Sequence, residues 1–408
     1  MTTLAERAEA LDAADPLAAL RAEFVLPPQV SSYLDGNSLG RPLRATRARL
    51  GSFVDGDWGT GLIRSWDAGW MDAPVELGDA IARITLGAAP GQTVVADSTT
   101  VMLYKLVRGA VAARPGRDQV VADTENFPTD RFVLEGVAAE CGLEIVWLRT
   151  DPRTGPSAAQ VRAAAGPRTA LVLLSHVSYR SGFVADMPAI TAAAHDAGAL
   201  MLWDLCHSVG AVELELDRIG VDLAVGCTYK YLNGGPGAPA FGYLARSLHG
   251  AVRQPVQGWM GAADPFAMAP SYVPATGIRQ LISGTPPIVG MLPMRDMLDL
   301  IERAGMAAVR AKSVLLTELV IEAYDELLAP LGVELGSPRD PAARGGHVTL
   351  DHPSFQGLLG SLWERGVIPD FRPPRGLRIG LSPLSTSFAE VAHSLTVVAE
   401  LLHAAAAP

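Results

Sequence analysis

Between about residues 90 and 245 the chain alternates short apolar runs with longer stretches whose apolar positions recur at helical spacing. The runs at 119–123, 144–148, 169–175, 199–205, 222–228 and 240–244 predict strands, and the stretches at 99–113, 130–141, 157–165, 187–197 and 214–219 predict the helices between them. Several of the runs have no polar alternation, as expected of strands buried on both faces. The pattern therefore predicts an α/β fold with a mainly parallel, doubly wound sheet covered by helices on both sides. In such sheets ligands bind outside the carboxyl ends of the strands, so the chemistry is to be sought there.

The pattern changes after a Gly/Pro-rich passage at 283–287. A long helical stretch from about 293 to 328 leads to shorter elements at 346–350, 354–365, 367–369, 376–381 and 387–406, which read as a small α+β unit ending in a helix. At 408 residues the chain is too long for one core, which agrees with two units. The expected division is a large domain at 44–292 and a small C-terminal domain at 293–408, with the segment 1–43 associated with the small one. The first 24 residues place acids among alanines and leucines and lack a basic start, apolar stretch and cleavage site in sequence, so they predict an amphipathic helix and not a signal peptide.

Composition narrows the classes of function. No apolar run approaches the roughly 18 residues of a membrane span, which predicts a soluble protein. A net charge of -10 without any Lys/Arg cluster argues against a nucleic-acid partner. Cys141, Cys206 and Cys227, odd in number and widely spaced, fit reduced thiols in a cytoplasm. No Cys/His cluster has metal-ligand spacing, so no metal is expected.

The strongest chemical signal is WDLCHSVG at 203–210 followed by CTYKYLNGGPG at 227–237. Asp204 ends one apolar run and Lys230 follows the next by two residues, so both can face one crevice. A carboxylate beside a ring nitrogen and an amine able to bond an aldehyde suit a pyridine cofactor. Either residue alone would read as a strand cap or a solvated amine; the pair at this spacing, with a Gly-rich turn after the lysine, points to the cofactor. The segment ADSTT at 96–100 leads into a helix, where backbone N–H groups and the hydroxyls of Thr99 and Thr100 can hold an anion, although ordinary capping explains the same residues. Phe127, in ENFPTD at 125–130, can lie on a ring or in the core, and Asp130 begins the next helix. Ser175 ends an apolar run facing the same crevice.

With these segments the sequence resembles the kynureninases, a branch of the fold-type I pyridoxal 5'-phosphate enzymes. The resemblance rests on YLDGNSLG (33–40), RSWDAGWMD (64–72), DSTTV (97–101), NFPTD (126–130), WDLCHSVGA (203–211), GCTYKYLNGGPG (226–237), QGWMG (257–261), GTPPI (284–288) and the C-terminal GLRIGLSPL, and it spans essentially the whole chain. It implies a fold-type I architecture, with a seven-stranded, mainly parallel sheet in the large domain. It implies pyridoxal 5'-phosphate carried as a Schiff base on Lys230, with Asp204 at the pyridine nitrogen and Phe127 stacked on the ring. Thr99, Thr100, Asp130, Ser175, His207 and Tyr229 are implied around the cofactor. Trp259 and Thr285 are implied to reach the phosphate of a neighbouring subunit, which makes a homodimer. Arg378 matches the arginine that holds the substrate α-carboxylate, where a guanidinium fork is physically apt, and Ser38 and Trp66 fall in segments implied to line the substrate. Trp66, Gly284 and Thr285 follow the bacterial pattern and lack a polar His/Asn pair, which favours unsubstituted L-kynurenine, with 3-hydroxy-L-kynurenine as a further substrate left open.

The implied reaction is hydrolytic Cβ–Cγ cleavage to anthranilate and L-alanine, with Tyr229 as acid/base beside Lys230. Two rival readings stay open on the residues. A cysteine desulfurase or selenocysteine lyase would stack a histidine on the ring and use a mobile C-terminal cysteine; here Phe127 occupies that segment and no cysteine follows Cys227. A non-catalytic metabolite-binding protein on the same fold is opposed by the intact lysine, aspartate and arginine set.

Overall fold

In the computed structural model, which describes residues 2–406, the apolar runs become the inner strands of a sheet. In chain order the strands are β1 (Ser32–Leu34), β2 (Thr93–Val95), β3 (Gln119–Asp123), β4 (Glu144–Leu148), β5 (Thr169–Ser175), β6 (Leu200–Asp204), β7 (Leu223–Gly226), β8 (Phe241–Leu244), β9 (Glu334–Leu335), β10 (His347–Asp351), β11 (Val367–Arg372) and β12 (Gly376–Gly380). Seven of them form one sheet in the order β2-β8-β7-β6-β5-β3-β4. Pairing is parallel from β7 through β6, β5 and β3 to β4, and β8 runs antiparallel to both β7 and β2. This is the mainly parallel, seven-stranded α/β sheet expected. Strand β2 had no signal in the sequence, because three residues carry no periodicity.

Two helical layers account for the uninterrupted apolar runs. Val172, Leu174, Met201 and Trp203 pack into the core on one face of the sheet, while Leu171, Leu173, Leu200 and Leu202 pack into the core on the other. Each strand thus buries both rows of side chains, so no polar alternation survives in its sequence.

The second sheet has the order β1-β11-β12-β10-β9, with β1 parallel to β11 and the remaining pairs antiparallel. The helices Met306–Ala323 and Phe388–Ala406 bury apolar residues in its core, together with Leu4 and Ala8 of the N-terminal helix Leu4–Ala14. The expected helical stretch at 293–328 is two helices, Ile288–Ala304 and Met306–Ala323, broken at Gly305, whose φ of 79° is left-handed. The first begins five residues before Pro293 and continues through it, since Met291, Met294, Met297, Leu298 and Ile301 bury one face against the large-sheet core. We therefore propose that the units divide near Gly305 rather than between 292 and 293. Association of 1–43 with the small unit likewise stays a proposal: Leu4, Ala8 and Leu34 pack in its core, but Leu17, Phe24 and Leu43 pack in the large one.

Candidate active site

The site forms where β5, β6 and β7 end. The parallel register sets Ser175 beside Asp204 and Asp204 beside Val225, so side chains leaving these strand ends share one crevice. Lys230 lies in the connection from β7 to β8, four residues beyond the end of β7. The turn after it needs its glycines for two reasons. Gly235 and Gly237 are left-handed, with φ of 85° and 75°. Gly234 is not, but a Cβ there would stand 2.8 Å from that of Ala238.

Lys230 Nζ is 3.2 Å from His207 Nε2 and lies 5.9 Å from the ring centroids of both Phe127 and Tyr229. Burial and the positive charge of Lys230 push the His207 imidazole well below its usual range, so it is neutral and accepts a hydrogen bond from the amine. Burial pushes the Tyr229 phenol upward, so it keeps its proton at neutral pH. Phe127 meets Tyr179 edge-on at 5.2 Å, which fixes the ring beside Lys230.

Asp204 is buried, and its Oδ1 accepts the Cys206 backbone N–H at 2.7 Å. Ser175 Oγ donates to Asn126 Oδ1 at 2.6 Å and approaches Asp204 Oδ2 at 3.4 Å. Asp130 adjoins Asp204. Burial, reinforced by the Asp204 charge, raises the Asp130 carboxyl well above the usual carboxylate range. Asp130 thereby favours its protonated form beside the Asp204 side chain.

Thr99 and Thr100 open the helix Thr99–Ala112, which Ser98 caps by accepting the Val101 N–H. Thr99 lines a cavity of about 430 Å³ with Asp97, Ser98, Tyr229 and the loop 282–287, which includes Thr285. Thr285 thus borders the cavity of its own chain. Trp259 does not; it is 46% exposed and meets Phe266 edge-on at 6.1 Å. Trp66 packs edge-on against Trp70 at 5.3 Å and does not line that cavity either.

Arg378, on β12, is 1% exposed and already engaged. Its Nε donates to Asp370 Oδ2 at 2.6 Å, Nη1 to the Tyr179 carbonyl at 2.6 Å, and Nη2 to Ser38 Oγ at 2.9 Å, with Asp370 also bonded to Nη2. Ser38 and Arg378 are therefore brought together across 340 residues of sequence. His347, fully buried on β10, places its ring 5.8 Å from that of His207, and neither of its ring nitrogens has a protein partner.

Sequence reasoning missed Asn126, Tyr179, His347 and Asp370. Asn126 lay inside a segment already singled out. Asp370 is opposite Arg378 in the β11–β12 register, which is invisible before the strands are paired.

The donor set fits a phosphorylated pyridine aldehyde. An amine, a paired carboxylate, flanking aromatic rings and a helix N-terminus surround one crevice, and the buried Asn126 Nδ2 and Asp130 Oδ2 have no partner in the protein.

Comparison with known proteins agrees. Residues 309–398 match the family described as kynureninase C-terminal domain, and residues 92–222 match the DegT/DnrJ/EryC1/StrS aminotransferase family. A kynureninase of Pseudomonas fluorescens is 42% identical over 398 residues, 96% of this chain and 94% of that protein. One from Burkholderia pseudomallei (strain 1106a) is 41% identical over 403 residues, 97% and 95% of the two chains. Among solved structures, a cysteine desulfurase from Thermococcus onnurineus NA1 superposes with a TM-score of 0.82 at 19% identity, covering 95% of this chain and 98% of its own. A cystine C-S lyase superposes at 0.79 and 18%, covering 91% and 98%. The structural likenesses show the fold, and the near full-length sequence identity shows the branch: the chain belongs to the kynureninase family.

Proposed function

We propose that this protein is a pyridoxal 5'-phosphate-dependent hydrolase that cleaves L-kynurenine between Cβ and Cγ, consuming one water and releasing anthranilate and L-alanine. The observation that carries the reading is the convergence of Lys230, Asp204 and His207 at adjoining strand ends, with Lys230 Nζ 3.2 Å from a neutral imidazole. When bound, the cofactor supplies an electron sink for the bonds broken at the substrate.

The chain's own residues do the rest. Lys230 would hold the cofactor, and its amine would move the α-proton. Asp204 holds a proton at the pyridine nitrogen. Thr99 and Thr100 present the helix N-terminus to the phosphate. Tyr229, protonated and next to Lys230, supplies a proton on the substrate side. Arg378 takes the α-carboxylate. Its present partner Asp370 is also bonded by Arg372 at 2.9 Å, so the carboxylate is not orphaned when the fork turns to substrate.

A homodimer is part of this reading. Trp58, Leu62, Ile63, Phe266 and Met268 are each more than half exposed, and Trp66 and Trp259 do not line the cavity of their own chain, which suits a second copy receiving them. A cytoplasmic location accords with three free cysteines; among the described residues no helix is long and apolar enough to cross a membrane. Unsubstituted kynurenine remains the proposed substrate, on Trp66, Gly284 and Thr285.

Lys230→Ala tests the assignment. The variant is expected to lose both anthranilate release and the visible absorbance of lysine-bound cofactor. A variant that keeps both would overturn it, and 3-hydroxykynurenine as competitor reads the ring preference in the same assay.

A further inference from the structure

Lys105 lies outside the residues assigned so far. It sits in the second turn of the helix Thr99–Ala112, with its side chain wholly buried. Side chains on a helix lean toward its N-terminus, and this one runs back beneath the first turn. Its Nζ donates to Asp97 Oδ2 at 2.5 Å and to the Leu281 carbonyl at 2.7 Å. Of these two acceptors Asp97 lines the 430 Å³ cavity, and Leu281 immediately precedes the loop 282–287 that also lines it. Asp97 precedes Ser98 and Thr99, and Leu281 leads into the loop 282–287 that carries Thr285. Asp97 is itself held in a left-handed conformation, φ 55°, by backbone bonds that Ala96 and Asp97 exchange with Ala240.

The arrangement has an electrostatic consequence. Asp97 lines the cavity proposed for a phosphate, and an unpaired carboxylate there would repel a dianion. A buried ammonium bonded to it removes that repulsion and ties Asp97 to the residue that leads into the loop 282–287. We propose that Lys105 is a positioning residue for the phosphate end of the cavity: it neutralises Asp97 and fixes the spacing between the helix N-terminus and the loop 282–287. The proposal rests on the reading of Thr99 and Thr100 as a phosphate site.

Binding to the apoenzyme tests it without turnover. Pyridoxal 5'-phosphate and pyridoxal, which lacks the phosphate, are titrated into wild type, Lys105→Met, Asp97→Asn and the double variant, with thermal unfolding measured on each. Lys105→Met is expected to weaken pyridoxal phosphate on the order of tenfold or more and to change pyridoxal less than about twofold. The double variant, with neither charge, is expected to recover most of that loss. Unaltered phosphate-ester affinity in Lys105→Met, or an equal loss for pyridoxal, overturns the proposal. Should Lys105→Met not fold, Asp97→Asn alone decides: removing the carboxylate is expected to leave pyridoxal phosphate affinity equal or tighter, and a tenfold loss refutes the neutralising role. Thr99→Val with Thr100→Val separates the two readings. If that pair weakens pyridoxal phosphate and Lys105→Met does not, only the Lys105 role fails; if the pair has no effect, the phosphate site is misplaced and the Lys105 role falls with it.

Discussion

His176 shows how a residue beside the site couples the fold to pH. It is buried, with Nδ1 3.0 Å from Ser208 Oγ and its ring edge-on to Trp203 at 5.9 Å. Burial, with a smaller contribution from Arg310, pushes its imidazole down to about 4. Between that value and the unfolded value near 6.5, the unfolded chain takes a proton that the native state refuses, so stability falls as pH drops through this window. The loss from this one group is about 2 kcal/mol between pH 7.5 and pH 5. His176→Asn is therefore expected to lose less stability than wild type over the same interval in urea unfolding. Equal losses in the two proteins would remove His176 from the account. At this scale Lys230, Asp204 and Phe127 were legible because their segments are distinctive. His176, His347 and Asp370 were not, since a lone buried histidine or a strand aspartate acquires meaning only from what is packed against it.

Among elements, the N-terminal segment and the turn that carries Lys230 are stitched together. Gly40 N–H donates to the Tyr229 carbonyl at 2.8 Å, and Asn233 Nδ2 donates to the Arg41 carbonyl at 2.7 Å. A Cβ on Gly40 would stand 2.4 Å from the Lys230 carbonyl oxygen and 2.5 Å from Asn233 Cγ. Gly40→Ala must push the turn away from the segment, and it is expected to cost roughly 2 kcal/mol and to lower kcat by displacing Lys230. Gly51→Ala is the control. Gly51 is helical with nothing near a new Cβ, so it is expected to gain up to about 1 kcal/mol and to leave kcat unchanged. Parity between the two variants in both measurements would count against the contact. The long strands and helices of the large sheet were readable from periodicity. Gly305, which separates two helices read as one stretch, was not, because a glycine inside an apolar periodic run announces a break only once its backbone turns left-handed.

For the whole molecule the proposed dimer rests on the exposed apolar side chains of Trp58, Leu62, Ile63, Phe266 and Met268. Light scattering on the holoenzyme is expected to give twice the chain mass. Ile63→Glu, placed where the side chain is 77% exposed, is expected to shift the protein toward monomer and to reduce turnover with it. A wild-type protein that is monomeric and fully active would end the dimer reading.

The sequence by itself determined the alternating α/β architecture and singled out Lys230 and Asp204 as the pair suited to a pyridine cofactor. Burial on both faces of a parallel strand and the residue types needed by a pyridine aldehyde leave local marks in the chain. Only the tertiary structure decided which distant residues meet. Ser38 and Arg378 come together through the pairing of β1, β11 and β12, and Lys105 joins Asp97 to Leu281 through the packing of a helix on a loop. Such contacts depend on register and on the docking of separate elements, and neither is written in any single stretch of sequence.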